Sequence, residues 1–181
     1  FTQKPMTRTI YEARKLGEIA REMNVATQVG NQGTADKKLR NTAAVVRSGV
    51  LGNVKEVHVW TNRPIWPQAV NRPTDAHNVP ETMDWNLWLG PAAMRPYNPS
   101  YAPFNWRGWL DFGTGAMGDM ACHLMDAAYW TLGLKYPSKI IPESTLLYSE
   151  SFPAAERITY EFPAIGNRPA VTLVWRDGSI F

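Results

Sequence analysis

The sequence has few of the residues on which several protein classes depend. It contains a single cysteine, Cys122, which excludes an internal disulfide and a multi-cysteine metal cluster. No apolar run approaches the roughly 18 residues that a membrane-spanning helix needs, so we expect no membrane span in this segment. Its 19 basic and 16 acidic residues are scattered and leave a net charge of only +3. So small an excess gives little support to nucleic-acid binding, and we expect a globular protein with no nucleic-acid partner.

Both ends of the chain suggest cuts within a longer sequence. The chain opens at Phe1, with no initiator methionine and no signal peptide. Near the other end, Asp177-Gly178 predicts a hairpin turn, after which a strand has barely begun. We expect a fragment, with maturation by a protease as the alternative. The lack of a targeting signal then leaves open whether the protein is cytoplasmic or exported.

The first fifty residues predict a helix, a buried strand and a second helix. Apolar residues recur at helical spacing over residues 7–24, where Thr9 and Glu12 fit a capping box. The apolar run 25–29 predicts a buried strand. A second helix is predicted over residues 35–48, with a buried face made of Leu39, Ala43, Val46 and Val50. This alternation is typical of a wound α/β sheet.

The remainder of the chain predicts strands, one long helix and a long loop. Alternation predicts a strand over residues 54–62, and helical spacing predicts a helix over residues 116–134. Residues 63–115 between them are rich in Pro, Trp, Asn and Gly, with one short helix at 84–89; such a loop is usually functional or wrongly assigned. Three antiparallel strands, each with one buried and one polar face, are predicted over residues 140–148, 157–162 and 170–176.

Asp119 and His123 are the first candidates for chemistry. They lie four residues apart on the predicted long helix, so their side chains share one face. A carboxylate one turn from an imidazole can orient it and favour its protonated form, which suits a general acid or base. Asp126 can reach the same ring, and the glycines just upstream would let a ligand approach the backbone closely. A solvated Asp–His pair is the simpler alternative.

A metal site is a second interpretation of the same residues. Asp119 and His123 could be two ligands of zinc or iron, with His58, His77, Asp126 or a glutamate completing the set. The chain has only three histidines, and none lies at ligand spacing from another. We therefore expect no metal.

Lys4 is a further candidate because Pro5 follows it. Proline fixes its own φ and favours an extended conformation for the preceding residue, which places Lys4 at the exit of a strand. Functional groups gather at the carboxyl ends of strands in wound sheets. A partly desolvated lysine there could act as an acid or base, although an exposed loop lysine is the simpler alternative.

Tryptophan is the compositional outlier. The chain has eight, four of them between Trp85 and Trp109. Flat aromatic faces suit sugars and nicotinamide-like rings, and Arg107, between Trp106 and Trp109, offers a planar set of donors to hydroxyls or a carboxylate. The same aromatic residues could form the core of a loop-rich layer, and we expect about half of them to be structural.

These pieces together resemble one known family. Gln3-Lys4-Pro5 before a helix resembles the Glu-Lys-Pro motif of the Gfo/Idh/MocA oxidoreductases. Residues 84–91 read D-W-N-L-W-L-G-P and are similar to the D-W-x-x-W-L-G-P run of one large subgroup. Residues 106–126 resemble the substrate-domain signature G-G-x-x-x-D-x-x-x-H-x-x-D. Gln3 replaces the usual glutamate, so no negative charge stands beside Lys4 in the sequence. The resemblance covers nearly three quarters of the chain.

The resemblance implies an enzyme of two domains. A Rossmann domain would hold NAD or NADP, and a second α/β domain, with a large, open, mostly antiparallel sheet, would bind the substrate. Residues 1–33 would be the C-terminal end of the Rossmann domain, and residues 34–181 a truncated substrate domain. The G-x-G-x-x-G phosphate loop would then lie upstream, so this segment alone would be inactive.

The resemblance also implies the site residues. It assigns catalysis to Lys4, Asp119 and His123, contacts with NAD or NADP to Lys4, Pro5, Asn31 and Gln32, and contacts with substrate to Trp106, Arg107, Trp109 and Asp126. The expected reaction is hydride transfer between the nicotinamide and a hydroxyl carbon of a sugar or polyol, with Asp119 holding the tautomer of His123.

Several broader expectations remain open at this point. Some relatives are simple dehydrogenases, whereas others use a transient oxidation to make or break a neighbouring bond, which includes glycoside cleavage by oxidation and elimination. The alternatives to an oxidoreductase are a metal-dependent hydrolase built on Asp119 and His123, and a non-catalytic carbohydrate-binding module. We also expect a homo-oligomer, a dimer or tetramer, formed through the open sheet.

Overall fold

The computed structural model describes residues 1–179 and has an α/β fold, as predicted. The helices are α1 (Ile10–Glu22), α2 (Lys37–Arg47), α3 (Trp85–Leu89) and α4 (Gly115–Leu132), with 3₁₀ turns at Gln32–Ala35 and Asn105–Gly108. The strands are β1 (Thr2–Gln3), β2 (Val29–Gly30), β3 (Glu56–Trp60), β4 (Lys139–Ser144), β5 (Glu156–Phe162) and β6 (Val171–Arg176). Among the described helices, none combines the length and apolar character of a membrane span. The strand predicted after Asp177-Gly178 lies outside the described residues.

The main sheet is open and mixed, with the strand order β3-β6-β5-β4. β6 lies inside the sheet, parallel to β3 and antiparallel to β5, so that Trp175 has Val59 on one side and Ile158 on the other. β4 pairs antiparallel with β5 and forms one edge. Two of the three pairings are antiparallel, which confirms the open and mostly antiparallel sheet that the sequence predicted.

The principal core lies between one face of this sheet and α4. The predicted alternation is confirmed there, because β5 and β6 bury every second side chain against the apolar face of α4: Ile158, Tyr160, Phe162, Val171, Leu173 and Trp175 pack with Met125 and Ala128. Val174 was predicted on the polar face but is only 3% exposed. β6 has a neighbouring strand on each side, and an interior strand is shielded more than an edge strand.

The outer face of the sheet is more open. Glu56, His58 and Trp60 of β3 point away from the core, as predicted, and all three are exposed. The homo-oligomer that we expect through this sheet stays a prediction.

The first thirty residues contain α1 and the two short parallel strands β1 and β2. α1 begins at Thr9 with the predicted capping box, in which Thr9 Oγ1 accepts from the backbone of Glu12 at 3.2 Å. Its apolar stripe is exposed, with Ile10 77% and Ile19 51% accessible. The buried strand predicted over residues 25–29 is wrong. Only Val29 and Gly30 form a strand, and Val29 is 39% exposed, because the described residues pair it with two-residue β1 and place no layer over it.

α2 packs against α4 and against the 3₁₀ turn Gln32–Ala35. Its predicted face is only partly confirmed: Ala43 is fully buried and Val46 is half-buried, whereas Val50, beyond the end of the helix, is 68% exposed. Arg47 lies over the ring of Trp130 at 4.7 Å and donates to the carbonyl oxygen of Thr131, so it fastens the last turn of α2 to α4.

The loop-rich stretch over residues 63–115 contains a second hydrophobic core. α3 begins at Asp84, as predicted, and its Trp85 ring stacks on Trp88 at 4.8 Å. Buried indole N–H groups donate to backbone carbonyls, as Trp85 does to Arg95 at 2.7 Å. The long loop is therefore ordered by aromatic packing: Trp85, Leu89, Tyr97, Tyr101, Ala102 and Trp109 form this core.

Two carboxyl groups, those of Glu156 and Asp177, lie where β5 begins and β6 ends. Asp177 is 1% exposed and accepts hydrogen bonds from the indole of Trp175 and from the backbone of Glu156, each at 3.0 Å. Burial and the neighbouring Asp177 charge raise the pKa of Glu156 to about 8, and burial also raises the pKa of Asp177. The folded chain therefore favours the protonated form of Glu156.

Candidate functional site

Lys4 lies at the carboxyl end of a strand, as predicted. β1 and β2 run parallel, with Gln3 opposite Gly30, so Lys4 and Asn31 leave the two strands at the same edge. The side chain of Gln3 lies against Gly30, where a Cβ would come within 2.5 Å of its side-chain oxygen. The small sheet thus directs an amine and an amide toward α4.

The ammonium group of Lys4 binds Asp119 on α4. Lys4 Nζ donates to Asp119 Oδ1 at 2.9 Å and to the Asp119 carbonyl oxygen at 2.7 Å. Arg107 Nε donates to the same Oδ1 at 3.4 Å. The side chains of Lys4 and Asp119 are only 22% and 12% exposed, so this ion pair is screened less than a surface pair. One carboxylate therefore positions two cations.

Asp119 does not orient His123 in the way that the sequence suggested. Among residues 1–179, the hydrogen bonds of the Asp119 carboxylate go to Lys4 and Arg107, and none joins it to His123. The physical reason is that two cations compete for the carboxylate through charge-assisted hydrogen bonds, which are stronger than a bond to a neutral ring. The predicted tautomer-holding role of Asp119 is corrected accordingly.

The electrostatic state of His123 also differs from the expectation. Burial lowers the pKa of His123, the positive charge of Lys4 lowers it further, and Asp119 only partly opposes them. The imidazole is therefore neutral at pH 7, not protonated as the Asp–His spacing alone suggested. A neutral imidazole beside a lysine can accept a proton, which is what a general base requires.

A second set of polar contacts ties the β2 edge to α4. Asn31 Nδ2 donates to the Cys122 carbonyl oxygen at 2.6 Å and to Thr34 Oγ1 at 3.1 Å, and Thr34 Oγ1 donates to Asp126 Oδ2 at 2.5 Å. Thr34 was not predicted as a site residue; no sequence spacing indicates it, since its partner lies 92 residues away. Asp126, predicted to bind substrate, is engaged by Thr34.

A cavity of about 910 Å³ opens beside this network, lined by Gln3, Asn31, Gln32, Thr34, Cys122 and Asp126 among others. Asn31 Oδ1 is buried there and has no hydrogen-bond partner within residues 1–179. Gln32 is exposed. Of the four residues predicted to contact cofactor, Asn31 and Gln32 line this cavity, whereas Lys4 and Pro5 directly follow its lining residue Gln3.

Arg107 is held between aromatic rings. Its guanidinium lies 4.6 Å from the ring centroid of Trp106 and 4.5 Å from that of Phe104, and Nη1 donates to the Phe104 carbonyl oxygen at 3.1 Å. Arg107 was predicted to contact substrate. Its Nε is committed to Asp119, so its first observed role is to hold the carboxylate that binds Lys4.

Trp109 is not available to a substrate, and that prediction is wrong. It is 1% exposed, its ring packs edge-on to Tyr101 at 4.9 Å, and its indole N–H donates to the Ser100 carbonyl oxygen at 2.8 Å. Burial of a large ring with a satisfied N–H is typical of a core residue. Trp106, by contrast, is only half-buried.

The glycines before Asp119 serve packing and do not admit a ligand. Gly115 has φ +64°, and a Cβ there would lie 2.7 Å from the ring of Phe152. A Cβ on Gly118 would lie 2.3 Å from the side chain of Thr114. The space that the sequence suggested for a ligand is therefore filled by the protein itself.

A second, smaller pocket has a volume of about 380 Å³. It is lined by Arg8, Trp88, Leu89, Pro91, Ala92, Trp106, Asp111 and Phe112. The sequence indicated the aromatic residues of this wall but neither Arg8 nor Asp111, because these two lie 103 residues apart and meet only in the fold. Within residues 1–179, no group of three or more His, Cys, Asp or Glu side chains is arranged to hold a metal ion.

Comparison with known proteins agrees with the motifs. A search among curated proteins gave no match. The model of an oxidoreductase family, the C-terminal alpha/beta domain of the Gfo/Idh/MocA type, matches residues 35–166. This match covers more than two thirds of the 181 residues and includes α2, β3, α4 and the Asp119–His123 pair. The chain belongs to the Gfo/Idh/MocA oxidoreductase family, and residues 35–166 correspond to its C-terminal α/β domain.

Proposed function

We propose that this chain carries the proton-transfer groups of an NAD(P)-dependent dehydrogenase that acts on a hydroxyl carbon of a sugar or polyol. The observation that carries the proposal is the seating of Lys4 Nζ on Asp119 Oδ1 at 2.9 Å, one helical turn from a neutral His123. The arrangement sets a hydrogen-bond donor beside a proton acceptor. An alcohol that loses a hydride must also lose its hydroxyl proton, and these are the two groups that such a step needs.

We also propose that residues 1–33 are the C-terminal end of a Rossmann domain. The family match begins at residue 35, after this segment. The parallel pairing of β1 with β2 supports the assignment, since parallel sheets are typical of doubly wound folds. The exposed apolar stripe of α1 supports it as well, because a face of that kind ordinarily packs against another element.

The residues around the larger cavity fit a nicotinamide cofactor, either NAD or NADP. Asn31 Oδ1 is a buried acceptor without a partner in the described chain, and a carboxamide has N–H groups that could satisfy it. Asn31, Gln32, Lys4 and Pro5 would hold the group at the strand edge. When bound, the nicotinamide supplies the acceptor or donor of the hydride.

The roles of the protein side chains follow from their charges. His123, neutral near pH 7, accepts the hydroxyl proton of the substrate. Lys4 donates a hydrogen bond to the same oxygen and stabilises its developing negative charge. Asp119 and Arg107 keep Lys4 in place, so that the ammonium is positioned before substrate arrives. Acid–base assistance of this kind is worth about 10²–10⁴-fold in rate.

The test measures hydride transfer in the full-length protein by nicotinamide absorbance, across a panel of sugars and polyols. Lys4→Ala and His123→Ala should each reduce turnover by at least tens of fold while cofactor binding persists. Lys15→Ala and His77→Ala are matched controls, because both side chains form exposed ion pairs away from the cavity.

Three other outcomes would contradict the proposal. Near-normal turnover in both Lys4→Ala and His123→Ala would remove the assigned roles. Activity that needs stoichiometric metal and is lost with a chelator would favour a hydrolase. Sugar binding with no change in nicotinamide absorbance would favour a binding module. Release of an aglycone together with transient reduction of the cofactor would identify oxidation and elimination.

A further inference from the structure

The smaller pocket combines aromatic walls with charged groups. Trp88, Trp106 and Phe112 supply ring surface, and Arg8 and Asp111 supply a guanidinium and a carboxylate. Its volume of about 380 Å³ is within the usual range of small-molecule pockets, roughly 300–1,000 Å³. Pockets with apolar walls and a few placed polar groups are the usual sites for small ligands.

The carboxylate of Asp111 is held by the buried side chain of Arg95. The Nη2 group of Arg95 donates to Asp111 Oδ2, and the side chain of Arg95 is only 3% exposed. Arg95 also lies 4.9 Å from the ring centroid of Phe112 and 3.4 Å from Glu150. The Asp111 side chain remains 40% exposed, so the oxygen lone pairs on its open side can accept hydrogen bonds from a ligand.

Arg8 is oriented by backbone oxygens. Its Nη1 donates to the Asp111 carbonyl oxygen at 3.0 Å and its Nη2 to the Leu110 carbonyl oxygen at 2.5 Å, while Nη2 lies 3.8 Å from Asp111 Oδ1. The guanidinium is 54% exposed and has more N–H donors than these contacts use. The pocket therefore presents a fixed donor and a fixed acceptor side by side.

The charge pattern selects the chemistry of the ligand. The carboxylate of Asp111 would repel an anionic ligand, and the guanidinium of Arg8 would repel a cationic ligand. A hydroxyl group both donates and accepts, so neighbouring hydroxyls satisfy Asp111 and Arg8 together. Flat aromatic walls suit the apolar faces of sugar rings. These features together favour a neutral, hydroxyl-rich ring.

The pocket is connected to the proposed catalytic site through adjacent residues. Trp106 lines the pocket, and the next residue, Arg107, contacts Asp119. Arg8, which also lines the pocket, follows Lys4 by four residues. We propose that this pocket binds a second sugar unit, so that the substrate is a disaccharide or other glycoside and not a free monosaccharide. The inference rests on the proposed function only in assuming that the first sugar unit is the one oxidised. Binding of the second unit in the pocket is measured separately.

The test is calorimetric titration of the full-length protein with glucosyl and galactosyl disaccharides and with the matching methyl glycosides. At least one disaccharide should bind more tightly than its methyl glycoside. Arg8→Gln, Asp111→Asn and Trp106→Ala should each reduce that affinity ratio by about tenfold or more, because each removes a charged partner or a ring face. Arg14→Gln, on the helix that follows Arg8, and Leu87→Ala, next to Trp88, are exposed controls and should leave the ratio unchanged.

The outcomes separate this inference from the proposed function. Binding of no disaccharide, or equal loss of affinity for disaccharide and methyl glycoside in Arg8→Gln, would overturn the inference. Arg8→Gln is the decisive variant because an exposed side chain can be replaced without unfolding the protein. The parent protein could bind a disaccharide more tightly than its methyl glycoside, lose that preference in Arg8→Gln, and yet transfer no hydride. That outcome would support the sugar-binding pocket and reject the proposed dehydrogenase activity.

Discussion

Lys4 Nζ lies 2.9 Å from Asp119 Oδ1, a contact between residues 115 positions apart. One partner leaves the small parallel sheet and the other lies on α4, so the contact joins the segment before the matched domain to the domain itself. Arg107 contacts the same oxygen at 3.4 Å from a third element. Three parts of the chain therefore meet on one carboxylate.

Removal of this carboxylate should affect both stability and turnover. In Asp119→Asn, the ammonium of Lys4 and the guanidinium of Arg107 keep their charges but lose the anion between them. We expect a loss of about 1–3 kcal/mol in the free energy of unfolding, measured by chemical denaturation, because two charged donors lose the negative charge of their acceptor. Turnover should fall by tens of fold, since Lys4 is no longer held.

A surface ion pair serves as the control for Asp119→Asn. Glu143 and Arg157 form a pair at 3.5 Å whose side chains are about half exposed. Glu143→Gln should therefore change the free energy of unfolding by less than about 1 kcal/mol. Equal effects of the two substitutions would contradict a structural role for the Lys4–Asp119 pair.

The pH dependence of oxidation should follow His123. Burial and the charge of Lys4 lower its pKa from the ordinary value of 6.5, so the base form persists below that pH. We expect the acid limb of the kcat/KM profile for alcohol oxidation to have its midpoint below pH 6.5. A pH profile of the full-length protein measures this, and a limb with its midpoint above 6.5 would exclude His123 as the base.

Replacement of Trp109 should destabilise the fold much more than replacement of Trp106. Trp109→Ala empties a core position and leaves the Ser100 carbonyl oxygen without its donor, so we expect a loss of about 3–5 kcal/mol in the free energy of unfolding. Trp106→Ala removes a half-buried ring at the pocket wall and should cost less than half as much. Thermal and urea unfolding of the two variants compare them directly, and equal losses would contradict the assignment of Trp109 to the core.

Glu156 should make stability fall as the pH rises. Its pKa is raised to about 8 in the folded chain from an ordinary value of 4.5, so its full contribution is present below pH 4.5 and is lost as the pH rises through 8. Glu156→Gln cannot ionise and should melt at least about 3 °C above the parent at pH 9, with a smaller difference at pH 5.

The control for Glu156 lies on the same strand. Glu161 is exposed and pairs with Lys139 at 3.8 Å, so Glu161→Gln should show no comparable dependence on pH. A constant difference between Glu156→Gln and the parent from pH 5 to 9 would show that the carboxyl group does not titrate in this range.

Local pattern predicted most of the elements. The capping box at Thr9 and Glu12, the helix that carries Asp119 and His123, and the alternation along β5 and β6 all depend on residues near one another in the chain, which sequence spacing displays directly. The prediction of a buried strand over residues 25–29 was wrong, because apolar composition alone does not show whether another layer of the fold covers the segment.

The sequence by itself determined the family, most of the helices and strands and several of the residues that could carry chemistry. Only the tertiary structure decided their partners: Asp119 binds Lys4 and Arg107 and not His123, Trp109 belongs to the core, and Arg8 joins Asp111 in a pocket. The physical reason is that charge-assisted contacts and burial depend on separations in space. Spacing along a helix shows which side chains can meet, whereas competition from residues a hundred positions away decides which of them do.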